Sequence, residues 1–238
     1  MLDRALHENY MTKILFDIYS EPTLRQELGF KGGTAAYLFY NLPRFSTDLD
    51  FDFLSQGDNQ KIFDQVKSIA AKYGEIKDEM IKKNTIYFRL SYRSGDHNIK
   101  IEISKRTNLG NTYNIQEYYG LPILVMDKDC LAANKLVAIF DRKKMVNRDW
   151  FDCWFFLNND WPIKKEIIES RTGLKFPEYF RKLAIYLEKN KSRLNILQGL
   201  GEVLDAKQKS YVKNKMISDL IFHLKLYSDK PELFDRNN

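Results

Sequence analysis

Residues 32–53 read GGTAAYLFYNLPRFSTDLDFDF, and the last six decide how the rest is read. Asp48, Asp50 and Asp52 alternate with Leu49, Phe51 and Phe53. Successive side chains of a β-strand point to opposite faces, so this strand turns one apolar face to a core and carries up to three carboxylates on the other. Like charges that close repel, and the arrangement asks for a cation, most simply a metal ion. The competing reading is an acidic stripe on an edge strand, where charge discourages pairing with another chain. Asp52 fits that stripe as readily as it fits a metal site.

On the N-terminal side, Leu2, Leu6, Tyr10, Ile14, Leu15 and Ile18 recur at helical spacing, and Pro22 opens a second short helix that ends near Gly29. Gly32-Gly33 leads into a helix for which Thr34 is the expected cap. A double glycine before a helix brings backbone N–H groups close to a phosphate; it also serves as a tight turn where only glycine fits. On the C-terminal side, residues 58–73 read as a helix. Residues 84–92 and 98–104 read as a hairpin turning at Ser94-Gly95-Asp96. In its second strand Ile99, Ile101 and Ile103 share one face, and Lys100, Glu102 and Ser104 the other. The stretch YNIQEYYGLPILVMD holds one further strand or an extended connection. From Asp127 the pattern becomes helical, over residues 127–142, 148–157, 164–170, 178–190 and 209–228. No internal repeat interrupts this order, and WFDCWFFL reads as core.

With 238 residues, 44% of them hydrophobic and 29% charged, the chain has the make-up of a soluble globular protein. It contains no run of 18 apolar residues and no signal-peptide pattern. Cys130 and Cys153 lie far apart and make no metal-type cluster, so a reducing, cytoplasmic setting is expected. Acidic and basic residues balance up to residue 126, and the whole net charge of +6 falls after it. Such a basic half suits a polyanion such as RNA or a nucleotide; it equally describes solvated, lysine-rich helix faces. His7, His97 and His223 are scattered and suggest neither a zinc site nor a general base.

In the helix from Asp127, Lys128, Lys135 and Arg142 recur every seven residues on one face. Lys135 sits among Leu131, Ala132, Ala138 and Ile139, placed either to aim its ammonium at phosphates or to snorkel past an apolar groove. Asp149 and Asp152, at i and i+3, share a helix face. They are placed to position Lys135 or an incoming nucleophile; salt bridges to Arg148 or Arg142 are the structural alternative.

Gly-Gly-Thr followed by Arg-Phe-Ser-Thr-Asp-Leu-Asp resembles the nucleotidyltransferase signature of the DNA polymerase β superfamily. More closely, it resembles the AbiEii/AbiGii-type toxins of type IV toxin–antitoxin and abortive-infection systems, with Arg44, Ser46, Asp48 and Asp50 in the motif's places. Lys135 to Arg142, followed by Arg148-Asp149-x-x-Asp152, resembles later motifs of that family, and the likeness runs from about residue 30 to 157. It implies an α+β fold: a polymerase-β-like nucleotidyltransferase core, a mixed sheet with flanking helices, over residues 1–126, then a helical domain over 127–238. The resemblance assigns a catalytic role to Asp48, Asp50, Lys135, Asp149 and Asp152. It assigns nucleotide binding to Gly32, Gly33, Thr34, Arg44, Ser46, Lys135 and Arg142, and Mg²⁺, or Mn²⁺ in its place, to Asp48 and Asp50. Glu102 is the candidate third carboxylate, or a cross-strand partner for a lysine. The implied substrates are an NTP and the 3′ end of a tRNA, and the implied partner is an antitoxin. A small-molecule nucleotidyltransferase and a non-catalytic nucleotide-binding module stand as alternatives.

Overall fold

A computed structural model describes residues 2–234, except 56, 94, 96, 107–109, 143–145 and 194. Ser94 and Asp96 of the expected turn therefore lie outside the described residues. The chain divides into two units, one of Met1–Asn108 with Thr112–Asp127, the other of Leu109–Asn111 with Lys128–Asn238.

The first unit runs α1 (Arg4–Ser20), α2 (Pro22–Glu27), β1 (Leu28–Lys31), α3 (Gly32–Tyr40), β2 (Asp48–Phe53), α4 (Asn59–Ala71), β3 (Glu75–Lys82), β4 (Thr85–Ser91), β5 (Ile99–Ser104), β6 (Tyr113–Tyr118) and β7 (Leu121–Met126). Its seven strands form one sheet in the order β3-β4-β5-β2-β1-β7-β6. The sheet is mixed, because β2 runs parallel to β5 and β1 parallel to β7, while the other neighbours are antiparallel. Alternation does the folding work here. Leu49, Phe51, Ile99, Ile101, Ile103, Ile86, Phe88, Leu90 and Phe30 are fully buried on one face. The helices bring Ile14, Leu15, Ile18, Ile62 and Val66 to the same core. Asp3 caps α1 by accepting from the Leu6 N–H, and Asp58 caps α4 by accepting from Gln60 and Lys61.

Two strands were not legible in the sequence, and one stretch proved richer than expected. β1 is only four residues long, squeezed between a helix and the glycine turn. β3, EIKDEMIK, carries charge on both faces and a register break between Ile76 and Asp78, so no alternation marks it. The stretch expected to hold one strand folds as the hairpin β6–β7, turning through Tyr119 and Gly120 with φ of 48° and 81°. Two successive positive φ values match the twist of a two-residue hairpin, but a tyrosine in that conformation is a poor turn signal.

The second unit is helical: α5 (Lys128–Asp141), α6 (Asn147–Asn158), α7 (Lys165–Thr172), α8 (Phe176–Asn190), α9 (Ala206–Tyr211) and α10 (Ile217–Asp229). A π-helical turn, Val212–Met216, joins α9 to α10. The aromatic run of α6 is core as expected: Trp150, Phe151 and Phe156 are buried together with Tyr179, Phe180 and Tyr227. Among the described residues no helix is long and apolar enough to cross a membrane.

Candidate active site

The glycine turn and the acidic strand meet. Lys31 and Asp50 are register partners across β1 and β2, so α3 begins beside the carboxylate face. Gly32 has φ of 79°, and a Cβ there would overlap the carboxylate of Asp50. Glycine is required at this position twice over, by backbone conformation and by contact. At Gly33 a Cβ would lie 2.8 Å from Arg44 Nη2 and 2.9 Å from Ser46 Oγ, and both of those side chains are buried. Thr34 is fully buried, and its hydroxyl donates to the Asp48 carbonyl. It is not the cap of α3, as the sequence suggested: the helix already starts at Gly32, and Lys31 at the N-cap provides no side-chain cap. The sharp turn that glycine permits moves the cap three residues earlier, from Thr34 to Lys31. Gly32, Gly33, Thr34, Arg44, Ser46, Asp48 and Asp50, spread over 19 positions of sequence, thus form one cluster.

The three aspartates of β2 share a face but not an environment. Asp48 and Asp50 are half-buried, whereas Asp52 is fully buried. Lys31 Nζ lies 2.5 Å from Asp52 Oδ1, and the Tyr113 hydroxyl donates to Oδ2 at 2.6 Å. Both carboxylate oxygens of Asp52 thus have partners within this unit, and the residue is not an exposed stripe. Gly29 makes this possible, since a Cβ there would overlap the Tyr113 ring. Glu102 is exposed and pairs in register with Asp50 on one side and Tyr87 on the other, so its direct cross-strand neighbours are not lysines. Burial raises the Tyr87 hydroxyl above its ordinary pKa; nearby Arg89 opposes the rise, and Asp78, Asp48 and Glu102 add to it. Among the described residues no three His, Cys, Asp or Glu side chains converge to enclose a metal. Asp48 and Asp50 still suit Mg²⁺, which takes one or two carboxylates and completes its shell with water and substrate phosphates.

In the second unit the later candidates also come together. Lys135 Nζ lies 3.0 Å from Asp149 Oδ1 and 3.1 Å from Asp152 Oδ2, and Arg142 Nε lies 2.8 Å from Asp149 Oδ2. Asp149 is 3% exposed and Asp152 not at all. Asp149 thus contacts Lys135 through one carboxylate oxygen and Arg142 through the other. The next residue, Cys153, is fully buried. Burial pushes its thiol well up, and the neighbouring Asp149 and Asp152 carboxylates push it further. Lys128, two turns before Lys135, lies over the Trp161 ring at 5.5 Å.

The sequence profile described as "Nucleotidyl transferase AbiEii toxin, Type IV TA system" matches residues 13–212. The chain belongs to the AbiEii toxin family. No curated protein sequence matches it. Among solved structures, a candidate nucleotidyltransferase from H. pylori superposes with a TM-score of 0.61 at 23% identity, covering 99% of this chain and 100% of that one. JHP933 from Helicobacter pylori gives 0.56 at 22% identity, covering 98% and 96%. At such identities the likeness speaks to the fold, and the fold is the nucleotidyltransferase one.

Within this AbiEii chain, one buried group at the site escaped the sequence reading. His7 is fully buried on α1, with Nδ1 2.9 Å from the Tyr92 hydroxyl and Nε2 3.0 Å from the Thr47 carbonyl. It thereby holds the residue before Asp48. Its helical spacing from Met11, Ile14 and Ile18, which are buried with it, was the available signal.

Proposed function

We propose that the chain is a Mg²⁺-dependent nucleotidyltransferase that moves a nucleoside monophosphate from an NTP to the 3′ end of a tRNA, blocking translation. The observation that carries this reading is the convergence at the start of α3, with Gly32 against Asp50, Gly33 against Arg44 and Ser46, and Thr34 on the Asp48 carbonyl. Asp48 and Asp50 would hold the metal, which when bound neutralises charge on the triphosphate and on the transferring phosphoryl group. Helix starts leave N–H groups without intrahelical acceptors, and those at the start of α3 would meet a phosphate of the substrate. Arg44 and Ser46 fix the shape of that turn. Lys135, oriented by Asp149 and Asp152, is the cation the family likeness assigns to the triphosphate. In the transfer, the acceptor hydroxyl oxygen bonds to the α-phosphorus and gives up its proton. The bond from that phosphorus to the bridging oxygen breaks, and pyrophosphate leaves. Membership of a type IV toxin family supports a cognate antitoxin as partner.

Incubation with each α-labelled NTP and total tRNA tests the reading. Label should enter tRNA, disappear on chelation of divalent metal, and fall roughly a hundredfold or more in Asp48→Ala and Asp50→Ala. Full activity in Asp50→Ala would remove the site. Label on an aminoglycoside in place of RNA would make the chain a small-molecule nucleotidyltransferase.

A further inference from the structure

We propose that His7 is a positioning residue for the metal site: the proton on its Nε2 fixes the peptide that enters Asp48, and so aims the Asp48 carboxylate at the ion. The inference rests on the metal-dependent transfer proposed above.

The need for such help lies in the sheet. β1 pairs with β2 from Lys31 opposite Asp50 to Leu28 opposite Phe53, and at Gly32 the chain turns away into α3. Asp50 is therefore held by a strand on each side, with Lys31 on one and Glu102 on the other. Asp48 is placed differently. It is the first residue of β2, paired in register with Lys100 of β5 but lying beyond the stretch that β1 covers. A strand end is where the ladder fixes the backbone least, and its polar groups must find partners elsewhere. Here side chains supply them. The Thr34 hydroxyl of α3 donates to the Asp48 carbonyl, and His7 of α1 meets the Thr47 carbonyl at 3.0 Å. The peptides before and after the Asp48 Cα are thus each tied to a side chain, which sets the direction of its carboxylate.

The chemistry of the contact assigns the proton. A carbonyl only accepts, so His7 Nε2 must donate, and in the neutral ring Nδ1 then accepts from the Tyr92 hydroxyl at 2.9 Å. The ring is fixed as well as bonded. It lies edge-on to Phe45 and to Tyr92, with centroids 5.9 and 5.4 Å apart, and Tyr10 stacks on Tyr92 at 4.6 Å. Packing alone does not ask for histidine, since Met11, Ile14, Leu15 and Ile18 fill the buried side of α1 with apolar groups. A fully buried imidazole costs free energy unless its nitrogens are paired, and these two nitrogens are spent on the approach to Asp48.

Glutamine and asparagine divide the two nitrogens between them, because the glutamine amide reaches the place of Nε2 and the asparagine amide that of Nδ1. His7→Gln should keep the bond to Thr47, and His7→Asn should lose it. Mn²⁺ binding, followed by electron paramagnetic resonance without nucleotide, should weaken about tenfold in His7→Asn, the scale on which supports of metal ligands act. In His7→Gln it should stay within about threefold of wild type. Label transfer from NTP should fall in the same order, while urea denaturation gives the two variants similar midpoints. Equal losses of Mn²⁺ affinity in both variants would make His7 a packing residue and overturn the proposal, as would unchanged affinity in His7→Asn. If His7→Asn does not fold, the unaltered protein decides: nitrogen-15 spectra of the His7 ring should place the proton on Nε2, and a proton on Nδ1 alone overturns the assignment. Wild-type protein that binds no Mn²⁺ removes the metal site and this inference together. Mn²⁺-binding wild type with an indifferent His7→Asn removes the inference alone.

Discussion

Two pairs of aspartates lie among the candidate catalytic residues, and they are built in opposite ways. Asp149 and Asp152 are buried on one face of a helix and enclose their own cation, Lys135, at 3.0 and 3.1 Å. Asp48 and Asp50 are half-buried on one face of a strand, with the backbone of a glycine turn against Asp50. A carboxylate pair that contains its counter-charge is part of the fold, and removing one member strands the others in a low-dielectric interior. A half-buried pair beside a helix start can take its cation from outside. Asp52 belongs with the first kind, although it shares a strand and a face with the second. Position along a motif therefore does not settle what a carboxylate is for; burial and partners do.

The largest effect should separate the pairs by stability. Asp152→Ala is expected to destabilise the chain by about 3–5 kcal/mol, the usual result of breaking a buried ion pair from one side. Asp48→Ala should stay within about 1 kcal/mol. Urea denaturation of both variants measures this, and equal losses would abolish the distinction.

A smaller effect concerns the helix cations. Lys135→Ala should weaken NTP binding roughly tenfold, the scale of one charge-assisted hydrogen bond, while Lys128→Ala, which lies over Trp161, should change it less than twofold. Because Lys135→Ala also strands Asp152, the double variant Lys135→Met/Asp152→Asn should restore stability without restoring affinity. Matching losses for Lys128 and Lys135 in calorimetry would reduce the helix to a source of diffuse charge.

The smallest effect is a pH dependence in α3. Tyr37 donates to Glu8 of α1, and burial, followed by that carboxylate, pushes its hydroxyl up to about 12. The folded state then holds the proton more tightly than the unfolded chain does. The contribution is complete below pH 10 and is lost as pH rises through about 12. Tyr37→Phe should flatten that part of the stability profile and leave neutral pH almost unchanged.

Much of this was legible in the sequence, for reasons that name its limits. β2 was read to the residue because DLDFDF alternates without a flaw, and β5 to within one residue because Ile99, Ile101 and Ile103 do the same. β3 escaped because an edge strand under no demand for burial need not alternate, and the β6–β7 turn because Tyr119 takes a conformation usually left to glycine or asparagine. Motif spacing singled out the residues that the fold gathers at the glycine turn. It could not say that Gly32 is pressed against Asp50, nor that Tyr113, 61 positions away, closes on Asp52. Those are tertiary contacts with no local trace.

The Lys31–Asp52–Tyr113 contact has a genetic consequence. Selection for cells that survive expression of this protein should return mutations along β2 of two kinds. Changes at Asp48 and Asp50 should leave full-length protein abundant on an immunoblot but inert. Changes at Asp52, or at Gly29, which makes room for the tyrosine, should leave little protein to detect, because the cell's proteases clear chains whose buried charge has lost its partner. A single strand would thus yield alleles of opposite abundance at positions two residues apart.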